Sequence, residues 1–103
     1  MNRQEIRKLS EDTFVWAVNM RRALHRIPEP GFEEFKTQKL ICETLKALGI
    51  PYETKRTWVI GLIQGGQPGR VVGLRADIDA LPVTEPEGLP FRSGHEGWMH
   101  ACG

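Results

Sequence analysis

Cys102 and His100 stand two residues apart in the run Met99-His100-Ala101-Cys102-Gly103, and their types are those that hold metals. Thiolate and imidazole bind zinc and related ions, and the flanking glycine permits the tight turn such a loop needs. In an extended segment the two side chains point to the same side. Two acids, Asp77 and Asp79, lie in Leu74-Arg75-Ala76-Asp77-Ile78-Asp79-Ala80-Leu81-Pro82, where an apolar run gives way to a loop. Acids beside a metal either ligate it or orient a ligand by accepting its N–H. Arg75 is placed to pair with one of them. Each residue also has a plainer reading. A free cysteine is often a small buried hydrophobe, a histidine a packing group, an aspartate a loop cap and an arginine a surface charge. A structural metal site wants four ligands, so a self-contained cysteine–histidine module is the weaker reading.

The other reactive types lack motif partners. His25 and His95 read as surface or hydrogen-bonded histidines. Cys42 falls on a helical stretch beside Ile41 and reads as core. Glu33 and Glu34 open a helix, where the helix dipole alone accounts for them. Gly65-Gly66 has no accompanying Gly-Lys pattern and is a turn, not a phosphate cradle.

Chemistry at residues 77–103 requires elements that hold the segment in place. Residues 11–26 read as a helix with a loose apolar stripe through Phe14, Val18 and Leu24, and Ser10 with Thr13 offers capping chemistry. Pro28 and Pro30 end it. A second helix is expected from about Glu33 to Leu48, with Ile41, Leu45 and Leu48 on one face. Gly49 is then a left-handed cap, Ile50 packs back and Pro51 blocks continuation. Strands are expected at Tyr52–Lys55, Val59–Gln64 and Arg70–Ala76, the last two as a hairpin across Gly65-Gly66-Gln67-Pro68-Gly69. Beyond Ala76 the chain turns irregular. This order points to an α/β or α+β layer packing.

Composition narrows the function classes. At 103 residues there is room for one small domain or part of a larger one. A net charge of +1 argues against nucleic acid as an obligate partner. The cluster Arg21, Arg22, His25 and Arg26 reads as a solvated helix end. No apolar run long enough for a membrane span is present, and the polar amino terminus lacks a signal-peptide core, which reads as cytoplasmic. The two cysteines are then expected as free thiols.

The run Arg75-Ala76-Asp77-Ile78-Asp79-Ala80-Leu81-Pro82, followed by Glu87-Gly88-Leu89-Pro90-Phe91-Arg92-Ser93 and Met99-His100-Ala101-Cys102-Gly103, resembles the N-acyl-amino-acid amidohydrolases. That group includes hippurate hydrolases, N-acetyldiaminopimelate deacetylases and auxin-conjugate hydrolases, within the aminoacylase-like metallopeptidases. The earlier run from Met20 to Glu34 looks like the family's amino-terminal signature. The resemblance implies an α/β fold in which residues 1–103 form the incomplete, amino-terminal part of a mixed-sheet three-layer catalytic domain. It implies about the first quarter of a chain of several hundred residues.

The same resemblance implies hydrolysis of an N-acyl amino acid, a small-molecule substrate, with no membrane partner. It implies two divalent cations per full-length subunit: zinc, manganese, cobalt or nickel; a homo-oligomer is expected from the apolar surface that a partial layer leaves uncovered. Cys102 corresponds to a metal ligand. In relatives the motif continues Cys-Gly-His-Asp, and that next histidine is the second ligand. His100 and Arg75 take supporting roles, as do Asp77 and Asp79, of which Asp79 matches an orienting aspartate. The catalytic glutamate is expected beyond Gly103. The 103-residue chain alone is thus expected to hold no metal and to be inactive. One departure stands out: Thr57-Trp58 occupies the place where relatives usually carry Thr-Gly. The alternative is a non-enzymatic module that self-associates through an uncovered sheet edge.

Overall fold

The computed structural model describes residues 1–102. The described residues form two helices, α1 (Arg3–His25) and α2 (Phe35–Ala47), and then two strands, β1 (Tyr52–Lys55) and β2 (Trp58–Gly61). No helix among the described residues is long and apolar enough to cross a membrane.

α1 begins well before residue 11, because Asn2 and Glu5 form a reciprocal capping box. The Asn2 side chain accepts the Glu5 N–H at 2.9 Å, and the Glu5 carboxylate accepts the Asn2 N–H at 2.7 Å. The pairs Arg7–Glu11 and Lys8–Asp12 then follow at helical spacing on the solvent face. Ser10 and Thr13 cap nothing; the Thr13 hydroxyl donates back to the Leu9 and Ser10 carbonyls inside the helix. The helix stops at the two-proline corner, as the sequence requires.

α2 starts at Phe35, with Glu34 at the N-cap position but making no side-chain cap. The cap comes from the corner instead. One Glu29 carboxylate oxygen accepts the Thr37 N–H at 2.7 Å and the Thr37 hydroxyl at 2.8 Å, while the other accepts the Lys36 N–H at 3.0 Å. Burial pushes the Glu29 carboxyl up, yet these donors and the Lys36 charge outweigh it and hold the group below the ordinary glutamate range. At the other end Gly49 takes φ 70°, and the Ile50 N–H returns to the Leu45 carbonyl at 2.9 Å. That is the glycine-capped stop legible in the sequence.

The hairpin differs from the expected one. β1 pairs antiparallel with β2, from Tyr52 opposite Gly61 to Lys55 opposite Trp58. Arg56 and Thr57 make the turn, with Arg56 at φ 53°. Gln38 on α2 secures this turn by donating to the Arg56 carbonyl at 2.8 Å and to the Trp58 carbonyl at 3.3 Å. Trp58 is accommodated by exposure, and Thr57 is buried. Residues 70–76 form no ladder, so the third expected strand and its hairpin are absent. The apolar pattern of Arg70–Ala76 suits a strand, but a strand exists only when its backbone groups find a partner. Val71, Val72 and Leu74 are 89%, 82% and 98% exposed.

Among the described residues Ala80 is the only buried hydrophobic one; the remaining buried groups are His25, Pro28, Glu34, Thr37, Thr57 and Glu85. The best-packed region is therefore a hydrogen-bonded corner around Arg26–Pro30, not an apolar interior.

Candidate functional site

The corner after α1 organises the segment that carries the chemistry. Its carbonyls are spent on residues of the irregular carboxyl-terminal stretch. Glu29 accepts from the Ala80 N–H at 2.8 Å, Arg26 from the Gly94 N–H at 2.9 Å, and the Pro28 carbonyl lies 3.3 Å from His95 Nδ1. A two-way backbone bridge between Leu81 and Met99, at 3.0 and 3.1 Å, then closes the stretch into a loop. His95 is thus a hydrogen-bonded histidine, as expected.

His25 is buried, and its Nε2 meets Glu85 Oε2 at 2.9 Å. The other Glu85 oxygen accepts the Ser93 N–H at 2.7 Å, with Arg92 Nε at 3.6 Å. The His25 hydrogen bond is the first of the influences that hold Glu85 below the usual carboxylate range; the Ser93 N–H and the charges of His25 and Arg92 add to it against burial. The Ser93 hydroxyl lies 3.0 and 2.8 Å from the His95 and Trp98 carbonyls. Phe91 meets the His25 ring edge-on at 5.3 Å, and the Arg22 guanidinium lies 4.9 Å from the Phe91 centroid. The basic helix end is thus only partly solvated: Arg22 and His25 hold the Leu-Pro-Phe-Arg-Ser block. Sequence reasoning missed Glu85 and Ser93. Neither has a partner at a telling spacing; the one available signal is an acid beside a buried-type block.

The residues singled out from sequence are brought only partly together. Asp77, His100 and Cys102 share the lining of a cavity of about 390 Å³ whose apolar wall comes from Trp16, Met20, Leu24 and Ile41. Arg75 pairs with Asp77 at 3.0 Å, both exposed. Cys102 is exposed, and Cys42 on α2 is half-buried. His100 is half-buried, with its Nε2 enclosed and without a hydrogen-bond partner among the described residues. Burial first, and then the neighbouring His25, hold the His100 imidazole below its ordinary range, against the pull of the Asp79 backbone and the Asp79 and Glu29 carboxylates. Asp79 therefore bears on His100, while Asp77 turns to Arg75. Among the described residues no three His, Cys, Asp or Glu side chains gather closely enough to hold an ion. An accessible thiol at a cavity rim fits a metal as one donor; it does not make a site alone.

Comparison with known proteins gives this geometry a family. The model of the peptidase family M20/M25/M40 matches residues 73–103, the stretch that carries both aspartates, His100 and Cys102. The N-acetyldiaminopimelate deacetylase of Exiguobacterium sibiricum is 50% identical over 91 residues, covering 85% of this chain and 25% of that protein. Among solved structures, Bacillus subtilis YXEP, described as a dinuclear metal binding peptidase from the M20 family, superposes with a TM-score of 0.82 at 42% identity, over 89% of this chain and 27% of its own. A chain from methicillin-resistant Staphylococcus aureus matches with a TM-score of 0.87 at 40% identity, over 99% of this chain and 28% of its own. The chain spans about a quarter of the length of the curated relatives it matches. Two helices, a small sheet and the carboxyl-terminal stretch held on their corner give the chain the α/β fold of these M20 neighbours. By motif, sequence and fold the chain is similar to the amino-terminal part of M20 family peptidases.

Proposed function

We propose that this chain is the amino-terminal part of the catalytic domain of a metal-dependent amidohydrolase that removes the acyl group from N-acyl amino acids. The observation that supports this most directly is Cys102: an exposed thiol on the rim of a cavity, in the segment matching the M20 family, beside Asp77 and His100. In this reading Cys102 donates its thiolate to a divalent cation (zinc, manganese, cobalt or nickel), one of two in the complete subunit. Such a cation, when bound, lowers the pKa of water and polarises the amide carbonyl. His100 packs beneath the ligand segment, Asp79 orients it, and Asp77 with Arg75 braces the approach. The cleaving base and the remaining ligands lie outside residues 1–102. The chain by itself then hydrolyses nothing, and the complete enzyme is a cytoplasmic homo-oligomer acting on a small molecule.

The test is a protein that contains this segment together with the rest of an M20 catalytic domain. Cys102→Ala there lowers metal content and turnover of N-acetyl amino acids together, while Cys42→Ala spares both. Full metal occupancy in the Cys102 variant overturns the assignment. A second reading, a self-associating module without enzyme activity, draws on the exposure of Val71, Val72 and Leu74. Both readings hold for the isolated chain if it associates and is inactive; a complete domain that lacks hydrolase activity favours the second.

A further inference from the structure

Glu85 belongs to none of the roles described for the reaction, yet it is buried and joins the end of α1 to the loop at Arg92–Ser93. Its carboxylate reaches the end of α1 through His25, the loop backbone through Ser93 N–H and the loop surface through Arg92. A buried carboxylate is kept in a fold only with such compensation. The loop it holds continues downstream: the Ser93 hydroxyl donates to the Trp98 carbonyl, and Met99 is bridged to Leu81. Cys102 follows directly. A second, independent feature fixes the same loop. The Gly94 N–H bonds the Arg26 carbonyl, and a Cβ at Gly94 would stand 2.8 Å from that oxygen. Only glycine lets the loop approach the end of α1 this closely.

We infer that the buried His25–Glu85 pair, with the glycine contact at Gly94, is a latch that sets the position of the Cys102 segment, making Glu85 and His25 positioning residues for the metal-binding loop. The inference rests on the reading of Cys102 as a ligand for its purpose, though not for its geometry. The latch joins groups far apart in sequence, so it acts on the loop and leaves α2 and the hairpin alone. Neither of those elements touches Glu85 through a hydrogen bond.

Backbone amide exchange on the 103-residue chain tests this without metal or activity. Glu85→Ala is expected to speed exchange at Ala80, Leu81, Gly94 and Met99 by about tenfold or more, the effect of losing the hydrogen bonds to its carboxylate. Exchange in α2 and at Leu62 stays unchanged. His25→Ala added to Glu85→Ala produces little further change, because the two act as one unit. Glu85→Asp recovers part of the protection. Gly94→Ala, with the His25–Glu85 contact intact, loosens the same amides. A uniform rise across the whole chain, or none at Leu81 and Met99 in either Glu85→Ala or Gly94→Ala, overturns the latch. Cys102→Ala serves as the separating control: it leaves this exchange pattern as in the parent chain. Loss of the metal reading would therefore appear in metal content alone, and loss of the latch in exchange alone.

Discussion

Thr37 donates twice, through its backbone N–H and its hydroxyl, to a single oxygen of Glu29, eight residues earlier. The corner between the helices thereby supplies the start of α2, which its own N-cap residue does not. Removing the acceptor leaves the amides of Lys36 and Thr37 without their partner. Glu29→Ala is expected to destabilise the chain by about 1–2 kcal/mol, in the range of lost helix caps. Urea unfolding followed by helix signal measures it, and an unchanged midpoint counts against the capping role.

The pH dependence follows from the same carboxylates. Glu29 and Glu85 are both held below their ordinary value of 4.5 in the folded chain. A carboxyl depressed on folding stabilises the folded state fully above its unfolded pKa, and the contribution is lost as pH falls through the folded pKa. Stability is thus expected to be flat with respect to these groups near neutrality and to decline below pH 4.5. The difference between the parent chain and Glu29→Ala narrows in the same window. A gap that persists undiminished to the most acid pH at which the chain still folds would locate the effect elsewhere.

The two thiols are expected to differ in reactivity. Cys102 is exposed, and Cys42 is half-buried on α2. Alkylation by iodoacetamide under native conditions should favour Cys102 by roughly several-fold, since access and thiolate fraction control the rate. Peptide mass spectrometry reads each site separately. Equal rates that persist well below the unfolding temperature would mean that α2 does not shield Cys42.

Arg56 occupies the left-handed region at φ 53°, where a side chain is strained. Arg56→Gly relieves the strain but loosens the unfolded chain, and the balance is expected to favour the variant by about 0.5 kcal/mol. The Gln38 bond to the residue 56 carbonyl is to the backbone and survives. A lower thermal midpoint would mean that the arginine side chain contributes more than its strain costs.

Association is expected for the isolated chain. Val71, Val72 and Leu74 are almost fully exposed, and Ile63 is 78% exposed. Covering a few hundred Å² of such surface returns several kcal/mol at about 25 cal/mol per Å², comparable with the stability of a small domain. Sedimentation across micromolar concentrations should show a rising mass, and Val72→Lys with Leu74→Lys should reduce it. A monomer throughout would show that these residues are tolerated in water.

Local signals were readable where local chemistry decides. Gly49-Ile50-Pro51 ended α2 as expected, and the two prolines ended α1. The start of α1 was also written in the sequence, as Asn2 three residues before Glu5, but Ser10 and Thr13 offered competing cap types. The strand at residues 70–76 failed because β structure is a property of two segments, and an apolar pattern describes only one. The candidate site divides in the same way. Cys102, His100 and the Asp77–Arg75 pair could be found by type and spacing. The His25–Glu85 contact joins residues sixty positions apart, and no periodicity carries that information.

The bond from Ala80 N–H to the Glu29 carbonyl has a topological meaning beyond its energy. It closes a large ring of chain containing α2, the hairpin and the exposed Gly65-Gly66-Gln67-Pro68-Gly69 turn. The entropy of closing such a ring grows only with the logarithm of its length, and doubling it costs about 0.6 kcal/mol. Insertions at that turn are therefore nearly free. The corner can keep its grip on the Cys102 segment while the span between them lengthens, which makes the Gly65–Gly69 turn the natural place for length variation in this part of the fold.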